Sequence, residues 1–279
     1  MQRRGGCSQR AELVVVARPR GLRGAALRAA AALYAEAIVR RPRALLLDLP
    51  RGLEAFIKLG LPAEGVLERG VQSALLPSSP SVLSSIGPVV SAAVRLAREV
   101  GVEVVCYAEA AELAEERRLA SEAARLTLRA SIRGLRDADL AEWMDLLEGY
   151  VEHGSRSMGR AVDAVALAAL QAGSSLCLAG MEGWELAKRL RRLGVEAELR
   201  VVGLPYLYTP LEVASRLKLM GRLGPRELRA LVEEHIEYIR NYVMRCRDLD
   251  EAYEEWLRSK APWLLSFSPL QASWRWARA

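Results

Sequence analysis

The segment ELVVVARPRGLRGAALRAAAALYAEAIVRRPRALLLDLP, residues Glu12 to Pro50, decides the fold. Glu12 to Ala17 is short, β-branched and apolar, the pattern of a strand buried on both faces. Gly21 to Arg40 repeats apolar residues at helical spacing, with Leu22, Ala26, Leu27, Ala30, Leu33 and Ile38 on one side. Ala44 to Leu49 is a second buried strand, closed by Pro50. A strand, a helix and a strand in this order make a βαβ unit, so the strands run parallel with a right-handed crossover.

The same alternation continues outward. Arg51 to Leu59 predicts a short helix, and Val71 to Leu76 a weak strand or strand-like loop. Pro77 to Ser81 is a loop. Ser84 to Val100 predicts a helix with Pro88 near its first turn and Gly101 as its stop. Val102 to Tyr107 is the third strand. From Ala108 to Leu170 the periodicity is helical almost throughout. Ser174 to Ala179 returns to strand, Glu182 to Leu193 to helix, and Glu196 to Val202 is the last strand. Beyond Pro205 the chain is helical over Pro210 to Leu219, Pro225 to Arg245 and Leu249 to Ser259. The expected fold is α/β: a mostly parallel sheet of about five strands flanked by helices, with a helical insertion and a helical C-terminal region. In segments this gives a flexible N-terminus over 1–10 and an α/β domain over 11–204 with its insertion at about 109–170. A helical region over 205–260 and a Trp/Arg-rich tail over 261–279 follow.

Composition bounds the function. With 279 residues, 51% hydrophobic and 27% charged, the chain can bury a sizeable core. No uninterrupted apolar run approaches the roughly 20 residues that cross a bilayer, Ala161 to Leu170 being short and carrying Asp163. Met1 to Arg10 lacks the apolar stretch of a signal peptide, which places the protein in the cytoplasm and away from the membrane. Cys7, Cys106, Cys177 and Cys246 are scattered, with neither zinc spacing nor a disulfide framework. His153 and His235 are the two histidines, so a His-rich metal centre is excluded. The net charge of +6 permits an anionic partner without requiring one. Positive charge is nearly all arginine, with lysine only at 58, 188, 218 and 260 and a single amide of the Asn type at Asn241. That bias fits a GC-rich genome and a thermophilic source.

In an open parallel sheet, ligands gather beyond the C-terminal strand ends. Arg18 and Arg20 follow the first strand, Asp48 ends the second, Glu109 follows the third and Glu182 follows the fourth. These arginines and carboxylates either bind a hard cation such as Mg²⁺ or Mn²⁺ or neutralise one another, ion pairing being the commoner outcome. A GxGxxG fingerprint, a P-loop lysine and a GxSxG elbow are all absent. Arginines over Arg117 to Arg136 face carboxylates over Asp137 to Glu152, which suits two helices pairing with each other or a basic groove for a polyanion. Trp263, Phe267, Trp274 and Trp276 suit packing on the chain itself, or a homodimer or protein partner.

The element order resembles TraB-type proteins and their erythromycin-esterase (EreA) and ChaN-like relatives. ELVVVARP, the Ala-rich helix and RPRALLLDLPRGLE are similar to that group's opening, with Asp48 at the acidic position. Ser79 to Ala108 is similar to its next segment. SRSMGRAVDAVALAALQAGSSLCLAGMEGWELAKRL is similar to its "Arg-Asp, helix, strand, GAGH, helix" stretch, with Arg156 at the arginine position. The resemblance covers about two-thirds of the chain, to about residue 203, on loose motifs. It implies histidines at two places where this chain has Arg18 and Met181. Arginine is a permanent cation with no lone pair for a metal, so a chemistry built on those imidazoles would be lost.

Three expectations follow. The first is a non-catalytic, ligand-binding or regulatory scaffold without cofactor, holding a small anion with Arg18, Arg20, Asp48 and Arg156. The second is a nucleic-acid-associated accessory protein using the arginine-rich helices. The third is a carboxylate-only, divalent-metal-dependent hydrolase using Asp48 with Glu109 or Glu182.

Overall fold

The computed structural model describes residues 11–265. Cys7, Phe267, Trp274 and Trp276, and with them most of the tail, lie outside the described residues. The chain divides into two compact units. Among the described residues, the first comprises those up to Ala108 together with Arg160–Gly203, and the second comprises Glu109–Gly159 and those from Leu204.

The first unit is α/β. Its strands are β1 (Glu12–Ala17), β2 (Ala44–Pro50), β3 (Glu103–Ala108), β4 (Ser174–Ala179) and β5 (Glu196–Val201). All neighbouring strands pair in parallel, in the order β3-β2-β4-β1-β5. The fourth strand in sequence therefore lies between the first two. Helices α1 (Arg23–Arg40), α2 (Leu53–Lys58), α3 (Ala63–Gln72) and α4 (Pro80–Glu99) connect β1 to β2 and β2 to β3. Alternate residues Val14, Val16, Leu45, Leu47, Val104, Leu176 and Leu178 meet α1 and α4 in one aliphatic core. The opposite face, with Val15, Ala17 and Ala179, receives α7 (Gly183–Arg192) at Gly183. A Cβ there would stand 2.9 Å from Ala17 Cβ, so only glycine lets α7 approach this closely.

Several sequence expectations change here. Val71 to Leu76 forms no strand. Val71 lies in α3, and the chain then turns, with Leu76 N–H donating to the Gly70 carbonyl at 3.0 Å. Helix α4 starts at Pro80 instead of Ser84, so Pro88 lies inside it. The buried side of α1 is Ala25, Ala26, Ala29, Leu33, Glu36 and Ala37, while Leu27 and Ile38 are exposed. Small alanines let α1 lie close to its neighbours, and of the side expected from spacing Ala26 and Leu33 are buried. Helix α4 is long and apolar enough to cross a membrane, which the run-length criterion missed because serine, glycine and proline interrupt it. Val89, Val90, Ala93, Val94 and Leu96 of this helix belong to the aliphatic core.

Helices α5 (Ala110–Arg133) and α6 (Asp139–Ala172) form the helical insertion, α6 passing from the second unit into the first. The second unit also holds α8 (Pro210–Leu219), α9 (Pro225–Tyr238), α10 (Leu249–Lys260) and the short α11 (Pro262–Leu265). Residues Ile239–Val243, expected as part of one helix to Arg245, form a π-helical turn instead. Trp143, Leu119, Leu126, Leu147, Leu228 and Val232 centre this unit's core.

Candidate functional site

Right-handed crossovers send β1 to α1 on one face and β4 to α7 on the other, and the two strands are neighbours. Their C-terminal ends therefore open a crevice where adjacent connections diverge. The polar groups of the first unit collect there in two layers. The inner layer is Arg18 and Asp48, whose side chains are each 3% exposed and whose Nη2 and Oδ1 atoms are 3.7 Å apart. The outer layer is Arg20 and Glu182, about half exposed, with Nη2 and Oε1 at 2.6 Å. Arg20 Nε joins the layers by donating to Asp48 Oδ2 at 3.1 Å.

Local structure explains the placement. Arg18 still belongs to the strand ladder between β1 and β4, its N–H donating to the Ala179 carbonyl at 3.1 Å. Asp48 lies where the β2–β3 register shifts between Leu47 and Pro50. Gly180 provides the space for the outer pair, since a Cβ there would come 2.4 Å from Glu182 Oε2 and 2.8 Å from Arg20 Nε.

The inner layer is not fully satisfied. Arg18 Nη1 donates to the Pro19 carbonyl at 3.4 Å, while Arg18 Nε and Asp48 Oδ1 are buried without a hydrogen-bond partner. A buried polar atom in this condition costs roughly 1–3 kcal/mol. Two cations meet two carboxylates, so the set is neutral as it stands.

The surrounding side chains are poor nucleophiles. Tyr107 donates its hydroxyl to the Leu178 carbonyl at 2.8 Å. Burial, reinforced by the charges of Asp48 and Glu182, pushes its pKa well up. Burial raises the Cys177 thiol likewise, with Asp48 adding to it. Both groups stay protonated, the opposite of an activated nucleophile.

Of the sequence-derived residues, Arg18, Arg20, Asp48 and Glu182 come together in the first unit. Glu109 and Arg156 belong to the second unit. Glu109 stands at the N-terminal cap of α5. Arg156 lies on α6, and Glu115 is held low by Arg118 above all, with His153 and Arg156 adding to it. Among the described residues no three His, Cys, Asp or Glu side chains gather in a way that could hold a metal.

The arginines of α5 face partners of their own. Arg125 reaches Glu122 and Glu142, Arg129 reaches Glu142 and Asp139, and Arg133 and Arg136 reach Asp139. The Arg136 N–H and these guanidinium groups lower the Asp139 pKa, and Arg129 with Arg125 lowers that of Glu142.

Sequence reasoning missed a second arginine–carboxylate set in the first unit, where buried Glu36 accepts from Arg40 at 2.9 Å and also meets Arg200. Glu36 sat within an alanine run, and no local signal marks a glutamate whose partner is 164 residues away. No family model matches this chain, and no significant match exists among curated proteins or solved structures.

Proposed function

We propose that this chain is a non-catalytic, ligand-binding member of the TraB/ChaN-like group, and that its crevice takes a small monoanion on Arg20 and Arg18. The observation that carries this proposal is the buried Arg18 guanidinium, whose Nε has no partner at the divergence of β1 and β4. Glu182 is the internal stand-in for the ligand: its carboxylate occupies on exposed Arg20 the place an incoming carboxylate or phosphate oxygen would take. When Glu182 swings aside, Arg18 and Arg20 share only Asp48, and the site carries one net positive charge. The first turn of α7 has no side-chain cap and adds the positive end of a helix dipole. Arg18 and Met181, standing where the resemblance implies histidines, favour binding over catalysis. A cytoplasmic location accords with the free thiols of Cys106, Cys177 and Cys246.

Thermal unfolding with inorganic phosphate tests the proposal, because a ligand of the folded state adds RT ln(1 + [L]/Kd) to stability. Phosphate is expected to raise Tm in the parent, to raise it further in Glu182→Gln, and to have no effect in Arg20→Gln. Equal shifts in all three proteins would sink the idea. Stabilisation by Mn²⁺ or Mg²⁺ that Asp48→Asn removes would instead support a metal-dependent hydrolase. A salt-sensitive shift with a short oligonucleotide, lost on replacing α5 arginines, would support nucleic-acid association. The ion pairs already made by those arginines weigh against that outcome.

A further inference from the structure

A second opening lies along the sheet face opposite α1 and α4. Ala44, Leu46, Val105 and Tyr107 of β2 and β3 form its floor, and the last turns of α6 form its wall, among them Ala164, Leu167 and Ala168. Its volume is about 470 Å³, within the roughly 300–1,000 Å³ of small-molecule sites. Leu167, on the wall, is 60% exposed, an apolar surface with no covering side chain of its own.

The charged residues on the rim are unequal. Glu103 is engaged by Lys58 Nζ at 3.2 Å, and Glu54 accepts from the Gly52 N–H at 2.9 Å. Arg43, exposed at the N-terminal end of β2, makes no side-chain hydrogen bond or ion pair among the described residues. Arg51 and Gln171 line the cleft as well, so polar groups edge an apolar strip, with the acids engaged and the Arg43 side chain unengaged at the mouth.

We infer that this cleft binds a monocarboxylate with an apolar body, such as a medium-chain alkanoate, with the carboxylate on Arg43 and the chain against Val105 and Leu167. A guanidinium takes a carboxylate through parallel N–H donors, which an ammonium-bearing amphiphile cannot use. The trough supplies affinity in proportion to the apolar area covered, on the order of 0.8 kcal/mol per buried methylene. Tyr107 borders both this cleft and the Arg18–Asp48 crevice, but Arg18, Arg20, Asp48 and Glu182 do not line the cleft, and its test does not depend on the other site.

Calorimetric titration of the full chain with decanoate, below its micellar concentration, tests the inference. Decanoate is expected to bind with submillimolar Kd, and Arg43→Gln to weaken it at least tenfold. Ala168→Phe, which fills the trough from its wall, is expected to abolish binding while circular dichroism stays unchanged. Arg28→Gln, an exposed α1 arginine outside the cleft, is expected to bind as the parent does. Decyltrimethylammonium is expected to bind at least tenfold more weakly than decanoate. Undetectable binding of decanoate, parental affinity in Arg43→Gln or Ala168→Phe, or equal affinity for the two head groups would each overturn the assignment. Should Ala168→Phe disturb the fold, Ala164→Leu on the same wall provides the same test.

Discussion

The two units solve the burial of polar groups in opposite ways. In the α/β unit the core is aliphatic, and charged side chains are gathered into small neutral sets, Arg18–Asp48–Arg20–Glu182 and Glu36–Arg40–Glu198–Arg200. In the helical unit, beside Asp139 held by Arg129, Arg133 and Arg136, the interior holds Trp143, His235, Tyr238, Tyr253 and Trp256, amphipathic rings with polar atoms deep inside. A parallel sheet satisfies its own backbone through the strand ladder, so its side chains need supply only bulk. The connection before α8 lacks such a ladder, and side chains take over. Tyr253 hydroxyl accepts from the Leu207 N–H and donates to the Leu207 carbonyl, while Glu212 accepts from Tyr206 and from the Thr209 N–H.

The largest expected effect strikes the aromatic core. Trp143 is fully buried, so Trp143→Ala is expected to cost about 4 kcal/mol in denaturant unfolding. A loss under 1 kcal/mol would show that the helical unit tolerates cavities its aliphatic counterpart would not. Next comes the buried ion pair. Asp48→Asn leaves Arg18 buried without its counter-charge and is expected to cost about 3 kcal/mol, with Arg18→Met/Asp48→Leu regaining most of it. If the single and double changes cost the same, the inner layer contributes through shape and not through charge.

A pH series sharpens the contrast. His235 is buried against Trp143, at 5.9 Å between ring centroids, and burial lowers its pKa to about 4. The unfolded chain takes up that proton near 6.5, so between pH 6.5 and 4 the unfolded state binds more protons and stability falls with pH. The loss attributable to this residue is up to about 3 kcal/mol at pH 4, read as the difference between parent and His235→Leu profiles. Parallel profiles would remove the histidine from the account. The smallest effect is expected at the surface. Glu142→Gln, which releases Arg125 and Arg129, should change stability by less than about 1 kcal/mol, and less still in high salt.

Much of the α/β unit was legible because its signals are local. Short β-branched runs between helical repeats mark the strands, and a run buried on both faces admits little else. The helical unit was legible as helix but not as core, since Trp143, His235 and Trp256 lie on different helices. The π-helical turn at Ile239–Val243 was invisible for a related reason: its composition is that of the helix it interrupts. At the site, strand ends named Arg18, Arg20, Asp48, Glu182 and Glu109 together and favoured ion pairing among them; Glu109 belongs to the second unit, and the unequal burial of the rest was not readable. The cleft of Arg43 and Leu167 gave no sequence signal, because it exists only where α6 passes beside β2 and β3.

By itself, the sequence determined the alternation of strands and helices, the parallel sense of the sheet and the gathering of arginines and carboxylates at the strand ends. Those follow from residue spacing, crossover length and counting, all of which act within a few tens of residues. Tertiary structure alone decided that β4 enters between β1 and β2, that Arg18 and Asp48 are sealed beneath Arg20 and Glu182, and that Glu36 meets Arg200. Each depends on which surfaces meet across more than a hundred residues of chain, where the packing of whole faces selects among pairings that local preference leaves equal.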